Sequence, residues 1–137
     1  MIERWLKYMS ISEKAVKNFN EKNYNCSQAV VCAYCQEQGI DEDMIYNLAR
    51  GFGGGMGGMQ DTCGAVTGMF MAMGMTNTTS SKAEMYEEIR EMAEQFKQEC
   101  GSLYCRDLKK MENGVQKVSC SRCVEVCAKL LEKYMDK

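Results

Sequence analysis

Proline is absent from all 137 positions of this chain. Proline breaks helix interiors and punctuates turn-rich folds, so a chain without it is free to run as helices. The apolar spacing agrees. A first segment, about Ile2 to Asn20, carries Trp5, Met9, Ala15, Val16 and Phe19 on or near one stripe. A second runs from about Asn25 to Gln38 and stops at Gly39, a residue suited to a helix end. Asp41 is placed to cap a short third helix through Met44, Ile45 and Leu48. A fourth starts at Asp61 or Thr62 and runs to about Met75. After the polar turn TNTTSS, Ser80 or Ser81 caps a long fifth helix ending near Cys100 and Gly101. A short element follows at Cys105–Met111, then a turn at Asn113-Gly114, and Ser119 caps a last helix reaching about Tyr134. Alternation of period two is nearly absent. The expectation is one all-α domain over residues 1–137, a compact bundle of about five to six helices with a glycine-rich loop.

That loop is the stretch GFGGGMGGMQDTCGAVTG, in which glycine surrounds a single thiol, Cys63. Ordered glycine costs backbone entropy, and its benefit is close backbone approach. Gly53, Gly54, Gly55 and Gly64 can bring N–H groups up to Cys63, or to a bound inorganic sulfide, without side chains intervening. A hinge is the plainer alternative. Gly53-x-Gly55-x-x-Gly58 matches a phosphate-cradle spacing, but no strand precedes it and no Lys-Ser/Thr pair follows. Gly64 and Gly68 stand four apart on one helix face and permit tight packing, within the core or in a homodimer.

Nine cysteines and no histidine set the chemistry. Without histidine there is no imidazole for a triad, a zinc site or a haem axial ligand, and neither CxxC is followed by the histidine of covalent haem attachment. The opening residues are charged and lack an apolar signal region, and the longest nearly apolar run, Gly64 to Met75, is too short to span a bilayer. A cytoplasmic protein without membrane insertion is expected. An odd thiol count in a reducing compartment disfavours a disulfide framework and favours metal binding or redox activity. The net charge of −2 and pI near 5.3 leave no basic footprint for nucleic acid.

The cysteines divide by position. Cys26, Cys63, Cys105 and Cys120 each fall at the first turn of an expected helix, where free N–H groups and a partial positive charge favour thiolate. Cys32 and Cys35 share a helix face away from Cys26, and a CxxC inside a helix is not the thioredoxin arrangement. Cys120, Cys123 and Cys127 lie on one face of the last helix with Val124, Leu131 and Tyr134, and there Cys123 and Cys127 read as buried small hydrophobes. Thirteen methionines suggest copper, with Met56, Met59 and Met69 to Met75 as candidates, but methionine in a helical core is ordinary filling.

The segments NYNCSQAVVCAY, LARGFGGGMGGMQDTCGAVTGMFMAMG, CGSLYCRDL and CSRCVEVCAKLLE resemble, in that order, the C_GCAxxG_C_C family of redox-active proteins. The four signature cysteines of that family fall on Cys26, Cys63, Cys105 and Cys120; the register VExxAxxLE selects Cys120 over Cys123 and Cys127. The resemblance implies an all-helical fold and a redox role, and a similar domain sits beside the haem portion of split-Soret cytochromes with an iron–sulfur centre. Only the non-haem part carries over. CRDLKKM departs from the family's CRELLG and puts the local turn in question, not the thiol.

Three functions follow as expectations. The first is electron transfer to a partner redox protein by an iron–sulfur cluster, [2Fe–2S] or [4Fe–4S], on Cys26, Cys63, Cys105 and Cys120. The second is metal-free thiol–disulfide or sulfur-handling chemistry, with Cys63 attacking and Cys26 or Cys120 resolving. The third is a structural zinc module on the same four thiols.

Overall fold

The computed structural model describes residues 8–136. Among them are seven α-helices, five long and two short, and one two-stranded hairpin. Helix starts follow from side chains that accept otherwise orphaned N–H groups. Ser10 opens α1 (Ile11–Glu21) with a capping box to Glu13. Asn25 opens α2 (Cys26–Gln38) with one to Gln28, and Ser81 opens α5 (Lys82–Cys100) with one to Glu84. Ser119 caps α7 (Cys120–Met135) through the Arg122 N–H. Helix α2 ends on Gly39 and α5 on Gly101, both left-handed, as their positions in the sequence suggest. The earlier part of the expected first helix, with Trp5, lies outside the described residues.

Two starts differ from expectation. Asp41 accepts the N–H of Asp43, but the short helix α3 (Asp43–Leu48) has Glu42 at its cap position, without a side-chain bond. Helix α4 (Gly64–Thr76) begins after Cys63, not at Asp61 or Thr62. Asp61 binds the N–H of Thr62, and Thr62 pairs as an isolated bridge with Tyr104, which holds both residues extended. The element α6 closes after one turn (Cys105–Leu108), and the chain then forms the hairpin β1 (Met111–Glu112) and β2 (Val115–Gln116) around Asn113-Gly114, both at positive φ.

The core lies where α1, α2, α4 and α7 meet, filled by Val30, Val66, Met69, Met73, Phe96, Val124 and Leu131, with α5 closing one side. Met69 and Met73 are fully buried core filling, as that bland reading of the methionines has it. Gly64 and Gly68 serve contact within the chain: a Cβ at 68 would stand 2.5 Å from the Ser27 carbonyl oxygen, so α4 rests on the first turn of α2. No described helix is long and apolar enough to cross a membrane.

Candidate functional site

A set of hydrogen bonds, one from a side chain and five between backbone groups, brings distant cysteines to one place. The Asn25 side chain, which caps the helix opened by Cys26, donates to the Arg50 carbonyl at 3.2 Å and anchors the entry to the glycine loop. The loop, Gly51 to Gln60, folds back so that the N–H groups of Gln60 and Asp61 bond the carbonyls of Gly54 and Gly55 at 3.0 and 2.9 Å. Its curvature needs left-handed residues at Gly54, Gly55, Gly57 and Gly58. Next, Cys63 N–H bonds the Leu103 carbonyl at 2.8 Å and Cys105 N–H the Asp61 carbonyl at 2.7 Å, setting Cys63 beside Cys105. Finally, Val118 N–H bonds the Leu108 carbonyl at 2.9 Å, turning the hairpin so that Cys120 opens α7 next to Lys109.

The result is one pocket lined by Cys26, Cys63, Cys105 and Cys120, with Gly54, Gly55 and Gly64 as backbone wall. Leu108, Lys109, Val118 and Cys123 complete it. Cys26, Cys63 and Cys105 are buried, whereas Cys120 is half-buried and is the sulfur closest to solvent. The side chains largely fill the space, leaving about 10 Å³ free. Glycine is required at the wall: a Cβ on Gly55 would stand 2.7 Å from the Cys105 Cβ and 2.6 Å from the Asp61 nitrogen, and one on Gly64 3.2 Å from the Cys26 Cβ. Gly53 does not line the pocket. Its missing side chain makes room for Asn25, whose Cβ would be 2.7 Å away, so it supports the cap of α2.

Helix starts do not favour every thiolate, because the sulfurs are close enough to govern one another. Cys120 lies beside Cys26, and that neighbour, then burial, pushes Cys26 up. Cys120 is lowered to about 6 by the same contact, against burial, with further help from Lys109. Cys63 lies below the ordinary thiol range, first through the Cys123 thiol and then, against burial, through the Ala65 and Val66 N–H groups at the start of α4. Burial raises Cys105, only partly opposed by Lys109. So Cys63 and Cys120 are lowered while Cys26 and Cys105 are raised, by thiol–thiol contact and burial more than by their places at helix starts. Lys109 itself is pulled down by burial but raised more by Cys120, Cys105 and Cys26, so it stays a cation.

Two residues of this site are not expected from the sequence as pocket members. Cys123 lies on the apolar face of α7 yet reaches the pocket and contacts Cys63. Lys109 is the site's cation, and its only sequence signal is its place four residues after Cys105, where a short helix ends. The other thiols stay apart from the pocket. Cys127 is fully buried in the core, and Cys32 and Cys35 are fully buried in two different apolar clusters, both pushed up by burial, Cys35 to about 11.

The donor set is sulfur only, with no histidine in the chain and no carboxylate on the pocket wall. Such soft ligands suit iron–sulfur clusters, zinc or cuprous ion. Among the described residues, no three His, Cys, Asp or Glu side chains are arranged to hold a single metal ion. Instead the sulfurs meet in neighbouring contacts, Cys26 with Cys120 and Cys63 with Cys123.

No curated protein and no solved structure matches the chain. A family model does, described as "Putative redox-active protein (C_GCAxxG_C_C)", over residues 24–134, from just before Asn25 to the last turn of α7. The match takes in all four helix-start cysteines and the glycine loop, and the chain belongs to this redox-active family.

Proposed function

We propose that this chain is a small electron-transfer protein whose Cys26, Cys63, Cys105 and Cys120 thiolates ligate an iron–sulfur cluster. One observation carries the reading: four cysteines drawn from residues 26 to 120, each at the start of a different helix, line a single pocket walled in part by glycine backbone. A dithiol needs only two of them. When bound, the cluster would supply one-electron redox chemistry, with the four thiolates holding it. The chain supplies thiolates, nearby helix-start N–H groups and the Lys109 charge, each of which offsets negative charge on sulfur. Gly54 and Gly55 are the part of the wall with least side chain to displace as ligand sulfurs spread to take the cluster.

A second reading is favoured by one contact. Cys120, half-buried and with its pKa near 6, touches the buried Cys26 thiol. A thiolate near solvent beside a protonated partner is the geometry of an attacking and a resolving thiol. In that metal-free chemistry Cys120 attacks and Cys26 resolves, in place of the buried Cys63 named from the sequence.

Purification without oxygen, followed by assay of iron, zinc and acid-labile sulfide and by visible spectroscopy, decides between them. Iron and sulfide together with visible absorption support the cluster. Absence of both, with a reversible Cys26–Cys120 disulfide, supports the dithiol; zinc alone contradicts both.

A further inference from the structure

The hairpin after α6 contributes nothing to the core, yet it stands at the edge of the pocket. The Val118 N–H to Leu108 carbonyl bond of 2.9 Å holds it there, and its flanking residues Lys109 and Val118 line the pocket with Cys120, the sulfur closest to solvent. Every residue from Lys110 to Lys117 is exposed. The charge of this region runs against that of the chain. Residues 104–118 hold four of the 17 cations and two of the 19 carboxylates, a segment of net +2 in a chain of net −2. The strand register sets Lys110 directly opposite Lys117, whose N–H bonds the Lys110 carbonyl at 2.8 Å, so both ammonium side chains leave one face. Like charges opposed in this way repel. Among the described residues none of Arg106, Lys109, Lys110 and Lys117 is ion-paired, and Glu112, the hairpin's own carboxylate, reaches neither lysine. Apolar surface lies open among these cations. Val115, on the face of the lysine pair, is 65% exposed and Met111 60%, while Tyr104, 44% exposed, carries the Arg106 guanidinium 4.9 Å from its ring centre. Nothing within the described chain relieves the repulsion or covers these side chains.

We infer that this hairpin, with Arg106 and Tyr104 beside it, is the docking surface for an acidic redox protein, a partner that presents a cluster of carboxylates. The inference rests on the electron-transfer reading for what passes between the two proteins, and on the hairpin alone for where they meet. Carboxylates seated at Lys110, Lys117 and Arg106 remove the repulsion between the lysines, and the partner covers Val115 and Tyr104, which gives the contact an apolar part. The rest of the chain is net −4 and repels an acidic protein, so electrostatic steering brings the partner to this end. That seat sets it against the side of the pocket where Lys109 and Cys120 lie. Four cations are few for a phosphate backbone, and the exposed apolar side chains among them suit a protein surface better than a nucleic acid.

The test uses the full chain purified without oxygen, with iron and sulfide assayed in every sample. Fluorescence anisotropy of a labelled poly-glutamate peptide reads binding at low salt. The wild type binds this peptide although both are net negative, and releases it at high salt. The double variant Lys110→Glu, Lys117→Glu binds about tenfold more weakly or worse. The control Lys82→Glu, Lys133→Glu makes the same change of charge at the ends of α5 and α7 remote from Cys100 and Cys120. It stays within about twofold of the wild type, and both variants keep the helical circular dichroism. In samples that hold iron, the reduced protein gives one electron to each hexacyanoferrate(III) or tris(phenanthroline)cobalt(III) ion that it reduces. The ratio of the anion's rate to the cation's falls in the 110/117 variant and holds in the control. Equal weakening in both variants, binding unchanged in the 110/117 variant, or a rate ratio that does not move there overturns the proposal. So does tighter binding of a single-stranded DNA oligonucleotide or of phosphatidylglycerol vesicles than of poly-glutamate. Binding through the lysine pair in samples without iron sinks the cluster reading and leaves the docking surface standing; iron retained without such binding sinks the docking surface alone.

Discussion

Replacing Gly68 by alanine tests how the pocket is held, because this glycine sets how closely α4 lies on α2. A Cβ at 68 would stand 2.5 Å from the Ser27 carbonyl oxygen and 3.2 Å from the Ser27 Cα. Both atoms belong to helix backbone and cannot rotate away, so the helices must separate. Overpacking of this kind costs about 1–3 kcal/mol, while exchange of glycine for alanine in a helix returns about 0.5–1 kcal/mol. Gly74, on the same helix, has nothing within 4 Å of its added Cβ. Gly74→Ala therefore carries the propensity gain alone, and the difference between the two variants isolates the steric cost, about 1–3 kcal/mol. At roughly 4 °C per kcal/mol for a domain of this size, thermal unfolding should place Gly68→Ala about 4–12 °C below Gly74→Ala. The separation also draws Cys63, at the start of α4, away from Cys26, at the start of α2, so iron retention should fall in Gly68→Ala alone. Equal melting temperatures would refute the close packing from which the pocket is built.

The pocket's charges give a pH test. Alkylation of Cys120, followed by peptide mapping, should titrate with a midpoint near pH 6 in the metal-free protein, and Lys109→Met or Cys26→Ser should move it toward the ordinary thiol value. Because Cys120 is lowered in the folded state, its contribution to stability is present above the unfolded thiol range and is lost as pH falls through about 6; a melting temperature flat from pH 9 to 5 in a chain differing from Cys120→Ser in nothing else would contradict this. Phe96 is fully buried, and Phe96→Ala should cost about 3–5 kcal/mol in chemical denaturation. Ser81→Ala removes the cap of α5 and should cost about 1 kcal/mol, with no effect on Cys120 reactivity.

Local signals read well from the sequence. Ser81, Ser119, Asn25, Gly39 and Gly101 act where their residue types suggest, because caps are decided within a few residues. The start of α4 is harder to read, because Asp61 and Thr62 look like caps but are drawn into extended pairing with Cys105 and Tyr104, far along the chain. That helix-start cysteines lie together is consistent with the family motif, whereas their protonation is not a local property. Cys26 and Cys105 keep their protons because other sulfurs and burial outweigh the helix start. Cys123 hides in an apolar stripe, and no pattern along the chain separates it from Cys127, which is core. Gly53 looks like its neighbours in the loop and differs only in facing Asn25.

The central claim is that four sulfurs hold one centre, and single substitutions test it most directly. Cys26→Ser, Cys63→Ser, Cys105→Ser and Cys120→Ser, each purified without oxygen, should lose visible absorption and bound iron, whereas Cys32→Ser, in a separate apolar cluster, should keep both. Iron retained equally in all five, or lost equally in all five while each stays folded, would contradict the account.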